Sequence, residues 1–302
     1  SKNLDFPIPE VDDKSFGELY LRSDRGNPAL VYGSIEALTK RPMIRVSGAD
    51  VKIDNLCIKY VGHHAICGGG HVVGLHVTNC EIGWIGGTIQ HYFGTDPNYP
   101  QGSRGSVTRF GNAVEIYGGC EDYVVDGCYV YQVYDAGLTH QITTCGRKYE
   151  IRDVHYENNL IEDCVYAIEY FLDMTEGDTE SYMKGVYMTG NILRRSGYGW
   201  GQQRHNVDTP ALIKGWSYTN VASEFYISEN IFDRSAYRML HLVAKDASSC
   251  PVMSKNTYAQ TEGGMLGQYG ANSVSEPPIL PFDESYIKQI LCDKDAQIYT
   301  IK

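Results

Sequence analysis

The chain has 302 residues, and 37 acidic against 26 basic residues leave a formal net charge of −11. That balance lacks the cationic excess needed to track phosphate backbones, which argues against a nucleic-acid partner. Hydrophobic residues make up 42% of the chain and suffice for a core, yet no apolar run approaches the roughly 18 residues of a membrane-crossing helix.

Residues 1–9 lack the charged-then-apolar pattern of a targeting segment. Residues 17–22 and 27–32 read as short strands, so residues 1–42 are expected to cap or begin the structure that follows. From residue 51 a repeat governs the sequence. Seven segments fit the template apolar, x, apolar, x, x, turn residue, x, apolar: Val51/Ile53/Leu56/Ile58, Leu75/Val77/Cys80/Ile82, Tyr123/Val125/Cys128/Val130, Val154/Tyr156/Asn159/Ile161, Val186/Met188/Asn191/Leu193, Phe225/Ile227/Asn230/Phe232 and Pro251/Met253/Asn256/Tyr258. Their turn positions are spaced by 24, 48, 31, 32, 39 and 26 residues, a base near 24 with insertions. About ten residues after most of them comes a further alternating segment, as at Ala113-Val-Glu-Ile116 and Ala167-Ile-Glu-Tyr170.

Each unit is thus three short period-2 strands, too small to bury a face alone but able to do so by stacking on its neighbours. The expected fold is all-β: a right-handed parallel β-helix, a solenoid of about seven or more three-strand coils over residues 43–275, with a C-terminal cap at 276–302 that includes a short helix near 283–291. Asn159, Asn191, Asn230 and Asn256 share one column and are expected to form an amide ladder. Cys80 and Cys128 occupy the same column, which favours packing over chemistry. The nine cysteines are scattered singly without metal-finger pairs and read as buried apolar thiols.

Function is expected where the repeat is interrupted. Insertions fall within residues 83–112, 142–150, 172–184 and 197–210, all flanking one face, and would wall a cleft over the last-strand sheet. The outward column of that sheet reads Cys67, Glu115, Thr139, Glu169, Ile213, His241 and Gly267, one residue after each inward aliphatic. Glu115 and Glu169, two coils apart, should have Cα atoms roughly 10 Å apart. Two carboxyl groups in a groove are the minimal apparatus of glycosidic hydrolysis. The plain alternative is that outward positions on a sheet are simply solvated. Asp135, at the cleft margin, is an alternative acid or base. Thr139, His140, Gln141, Arg204, His205, Lys214 and His241 are candidates to position sugar hydroxyls. With 24 tyrosines against 8 phenylalanines and 3 tryptophans, the chain is also rich in the aromatic side chain that best suits polar, wet ligands.

The stretches Arg109-Phe-Gly-Asn-Ala-Val-Glu-Ile-Tyr-Gly-Gly119 and Tyr131-Gln-Val-Tyr-Asp-Ala-Gly-Leu-Thr-His-Gln141 resemble bacterial right-handed β-helix repeat proteins of the pectate-lyase-like superfamily, some related to β-helical glycoside hydrolases. The resemblance covers about residues 43–270. It implies a carbohydrate-active protein, secreted or periplasmic, and is far more specific for fold than for reaction. The chain has no Asn-Thr-Asp, no Asp-Asp pair and no Gly-His-Gly of the polygalacturonase type, and Ile213-Lys214 lacks the leading Arg of Arg-x-Lys, so polygalacturonase is not expected. No acidic cluster matches the calcium site of pectate lyases. No cofactor or metal is therefore expected, with calcium in the loop bearing Asp173, Glu176, Asp178 and Glu180 as the alternative.

The leading expectation is a glycoside hydrolase acting on a polysaccharide or oligosaccharide, with Glu115 and Glu169 as the pair. The runner-up is a polysaccharide lyase that abstracts a proton alpha to a uronate carboxyl with Lys214, His241 or Arg204. A third reading is a non-catalytic carbohydrate-binding solenoid.

Overall fold

A computed structural model describes residues 23–35, 39–93, 106–203, 210–271 and 277–302. The chain divides into two compact units, Ser1–Ala37 and Leu38–Lys302. In the first, residues 27–32 form no strand. Asn27 accepts the Ala29 N–H (3.0 Å) and Pro28 supplies a preset φ, so Pro28–Val31 is a helical turn. The other strand expected there, at 17–22, lies outside the described residues.

The second unit is mostly β, and its sheets are built almost wholly from parallel pairs. The template segments become consecutive strands, such as Glu150–Glu157 followed by Leu160–Glu162, and Tyr182–Thr189 followed by Ile192–Ser196. Each pairs with its counterpart in the next repeat. Cys57–Val61, Glu81–Ile85, Tyr129–Val133, Leu160–Glu162, Ile192–Ser196, Ile231–Ser235, Thr257–Thr261 and Gln297–Ile301 follow one another across one eight-stranded sheet. The larger sheet divides at the long strand Val114–Asp126. Its first residues pair with Ala136–Thr143, which leads through Tyr166–Asp173, Ala211–Gly215 and Arg238–Ala244 to Met265–Ala271. Its last residues pair with Glu150–Glu157, which leads through Tyr182–Thr189 and Ala222–Ser228 to Val252–Ser254.

Inward aliphatics from these strands form one continuous cluster that includes Ile82, Val125, Val130, Leu138, Ile168, Leu193, Ile213 and Phe232, each fully buried. Left-handed residues recur in register from repeat to repeat, between strands and near the ends of short ones. Asn79, Gly127, Asn158, Gly190, Glu229 and Lys255 make one such column, and Trp84, Gln132, Asp163, Arg195 and Arg234 another. Glycine is required at 118, where φ is +152° and a Cβ would lie 2.1 Å from the Gly70 carbonyl oxygen of the neighbouring strand.

The asparagine ladder forms as expected. The Asn159 backbone and side-chain N–H groups both donate to Asn191 Oδ1 at 3.0 Å, and Asn191 and Asn230 repeat the pattern onto Asn230 and Asn256. Each amide also donates to an inner carbonyl, Asn191 Nδ2 to Tyr156 O at 2.7 Å. Cys80 and Cys128 continue the column by accepting backbone N–H groups at sulfur. Sequence reading missed its last member. Asp293, fully buried, accepts the Asn256 N–H (3.1 Å), the Asn256 amide (2.8 Å) and the Tyr258 hydroxyl (3.0 Å).

The C-terminal helix is Glu284–Gln289, capped by Asp283, and Gln297–Ile301 then adds a further parallel strand, so this segment extends the sheet as well as ending it. Among the described residues no helix is long and apolar enough to cross a membrane.

Candidate active site

A cavity of about 670 Å³ lies on the outer side of the larger sheet, with the carboxyl side chains Glu115, Asp135, Glu169 and Asp173 and the aromatic side chains Phe110, Tyr117, Phe171, Trp216 and Tyr218 around it. Strand pairing sets the row on which the site is built. Cys67 is opposite Glu115, then come Thr139, Glu169, Lys214, His241 and Gln268. Two members of the expected column are corrected: Ile213 pairs with Ile168 and Gly267 with Leu240, so Lys214 and Gln268 take their places. The cause is a departure from strict alternation. Each strand opens with two successive inward residues, Ala113-Val114, Ala167-Ile168, Leu212-Ile213 and Met239-Leu240, all in the core. Counting from the first of a pair slips the column by one.

Glu115 is the most constrained carboxyl group. It is 7% exposed; its Oε2 accepts the Asn112 amide and, at 3.3 Å, the Gln141 amide. Burial pushes its pKa up to about 7; the Asn112 bond pulls it down, the nearby charge of Asp135 pushes it up, and Gln141 pulls it down. His64 Nδ1 approaches the same oxygen at 3.3 Å, but this is no ion pair. Nδ1 accepts the Asn112 backbone N–H at 3.1 Å, and burial, with the charges of His63 and Arg45, lowers the ring's pKa to about 3. The imidazole is neutral, and among the described residues no cation stands beside Glu115, which holds its proton close to neutrality.

Asn112 ties this arrangement together, since its Oδ1 also accepts the Ala136 N–H at 2.9 Å, next to Asp135. Replacing Asn112 by Ala removes the strongest downward pull on Glu115 and leaves burial and Asp135 opposed only by the Gln141 bond. The Glu115 titration is expected to move to higher pH, read from its carboxyl carbon by NMR. An unchanged or lowered midpoint would contradict this account.

Glu169 is 6% exposed and lines the cavity, two strand spacings from Glu115, so their Cα atoms are roughly 10 Å apart. Thr139 stands between them, its buried hydroxyl without a hydrogen-bond partner among the described residues. Lys214, 2% exposed, places Nζ 4.1 Å from the centre of the Trp216 ring. His241 is 3% exposed, and burial, with the charges of Lys214 and Arg238, lowers its pKa to about 2.

The position of His140 requires a correction. It is fully buried on the inner face, stacked on Tyr170 and bonded through Nδ1 to the Tyr156 hydroxyl at 3.0 Å, because alternation sends residues 139 and 141 outward and 140 inward. Arg204 and His205 lie outside the described residues.

Of the insertions, the first carries an antiparallel hairpin, Thr88–Phe93 with Ser106–Phe110, which delivers Phe110 to the cavity. The wall at Trp216–Thr219 was not anticipated, because it follows the fifth last strand where the sequence shows no long insertion. Ser217 donates to Asp173 Oδ1 at 3.2 Å and Thr143 to Oδ2 at 3.4 Å, which turns Asp173 to the cavity. Asp178, another of the four residues of the calcium alternative, is engaged by the Ser181 hydroxyl at 2.6 Å and by two backbone N–H groups. Among the described residues no group of three or more His, Cys, Asp or Glu could hold a metal ion. No family model matches the chain, and neither a curated protein nor a solved structure matches it.

Proposed function

We propose that the second unit winds as a right-handed parallel β-helix of the pectate-lyase-like kind and acts as a glycoside hydrolase, cleaving a polysaccharide or oligosaccharide in the cavity. The strand order, each strand parallel to its counterpart in the next repeat, supports the winding. The observation that carries the reaction is the placing of Glu115, Asp135 and Glu169 on one aromatic-walled cavity, with Glu115 bonded by the Asn112 and Gln141 amides.

Glu115 is the general acid. Near pH 7 it still holds a proton to give to the leaving oxygen as the glycosidic C–O bond breaks. Glu169 is the base. It takes a proton from water as the water oxygen bonds to the anomeric carbon. A Cα spacing of roughly 10 Å suits the carboxyl gap of about 6.5–9.5 Å used by inverting enzymes. Asp135, close enough for its charge to bear on Glu115, would suit the retaining geometry instead. Tyr117, Phe171 and Trp216 offer apolar surface for sugar rings.

One observation favours the lyase reading: Lys214, rather than Ile213, is the neighbour of Glu169 in the row. Incubation with a panel of neutral and acidic polysaccharides separates the readings. Hydrolysis releases reducing ends with no new ultraviolet absorbance, and inversion of the anomeric signal in the first product is the outcome expected of the Glu115–Glu169 pair, with loss of turnover in Glu169→Ala assigning the base. An unsaturated, absorbing product would replace the hydrolase by a lyase. Glycan binding without turnover, retained when Glu115 and Glu169 are both Ala, would leave a carbohydrate-binding solenoid.

A further inference from the structure

The outer row changes character halfway along. Glu115, Thr139 and Glu169 are followed by Lys214 and His241, and Arg238 from the same strand as His241 bonds Gln268 in the next. All three basic side chains are at least nine-tenths buried, with Lys214 at 2%, His241 at 3% and Arg238 at 6% exposure. The charges of Lys214 and Arg238 both bear on the imidazole. Each of those two cations has partners of its own. His241 is different: Nδ1 and Nε2 are both buried and neither has a hydrogen-bond partner among the described residues. Tyr218 packs edge-on to the imidazole with ring centres 6.1 Å apart and also lines the cavity, so His241 sits one side chain behind the cavity wall.

A buried polar group without a partner costs stability, and an exception in a native fold calls for a ligand or a function. A neutral imidazole offers one N–H, and two neighbouring cations make the local field attractive to negative charge. We propose that the Lys214–His241–Arg238 end of the row is a binding subsite for an anionic group of the substrate, a carboxylate or a sulfate, which accepts the imidazole N–H and enters past Tyr218. The glycan reading above supplies the rest of that substrate, and the subsite deepens it by assigning a charged sugar to the end of the groove next to Glu169. The excess of acidic residues over the whole chain does not oppose this, since the local field at His241 is set by the two buried cations.

The test is the ring-nitrogen NMR signal of His241 in the intact protein, assigned by its loss in His241→Gln. Sodium glucuronate, sodium sulfate or glucose is titrated in at constant ionic strength held with sodium chloride. A saturable shift with glucuronate or sulfate at millimolar concentration, absent with glucose and at least fivefold weaker in Lys214→Met or Arg238→Gln, supports the subsite. Response to glucuronate alone identifies a carboxylate, and response to sulfate alone a sulfate ester. No saturable shift with either anion, or an equal shift with glucose, overturns the subsite. The two readings fail separately: polysaccharide cleavage with an unmoved His241 removes the subsite only, and an anion-responsive His241 with no glycan bound or cleaved removes the glycan reading only.

Discussion

Glu115→Gln is expected to lower kcat by about 10³-fold or more on any substrate the protein cleaves, because the amide has no proton to give the leaving oxygen. The same substitution should stabilise the fold at alkaline pH. Burial raises the folded-state pKa of Glu115 to about 7, while the unfolded chain titrates near the ordinary carboxylate value of 4.5. Between those values the folded state binds more protons than the unfolded one, so wild-type stability falls as pH rises from about 4.5 to 7 and then levels. The full loss corresponds to about 3 kcal/mol. Glu115→Gln, which cannot ionise, should therefore match or fall slightly below the wild type at pH 4 and exceed it at pH 8, as measured by urea unfolding. In the wild type kcat/KM should decline on the alkaline side of about pH 7. Full turnover by the variant would remove Glu115 from the chemistry, and equal stability differences at pH 4 and pH 8 would contradict a buried, proton-holding carboxyl group.

Asn191→Ala is expected to cost about 3–5 kcal/mol of stability, among the largest losses from a single truncation in this chain. Asn191 receives both N–H groups of Asn159 at its Oδ1 and donates to Tyr156 O and Asn230 Oδ1, and it is fully buried. Truncation leaves the Asn159 donors and the Tyr156 acceptor unpartnered in a place water cannot reach. Lys184→Ala, on an exposed side chain of the preceding strand, should change stability by less than about 0.5 kcal/mol. Comparable urea midpoints for the two variants would show that the ladder contributes little.

Most of the strand arrangement was legible because its causes are periodic. Inward aliphatics at Val125, Val130, Val186 and Leu193 recur at fixed distances from a turn, and every asparagine of the ladder occupies the same slot of the template. The site was legible only where that period continued into it. Glu115 and Glu169 were placed on one row because each follows an unambiguous inward residue. Lys214 was misplaced because Leu212 and Ile213 both point inward, and hydrophobicity alone does not say which of two aliphatics resumes the alternation. Asn112 and His64 escaped notice for another reason: their role is to hold Glu115, and a hydrogen bond between residues 48 apart, such as that from Asn112 to His64, leaves no mark in spacing. The helical turn at Pro28–Val31 was missed because apolar residues outweighed the capping signal of Asn27-Pro28.

Asp293 gives the side-chain column a direction. Every asparagine in the column both donates and accepts, passing the same pattern to the next, whereas a carboxylate accepts only. A duplicated repeat inserted anywhere upstream would find donors and acceptors matched on both sides. One added beyond Asp293 would find an acceptor oxygen there and no side-chain donor. The side-chain column is therefore polarised: each backbone N–H points on to the side chain of the next repeat, and position 293 receives that pattern without passing it on.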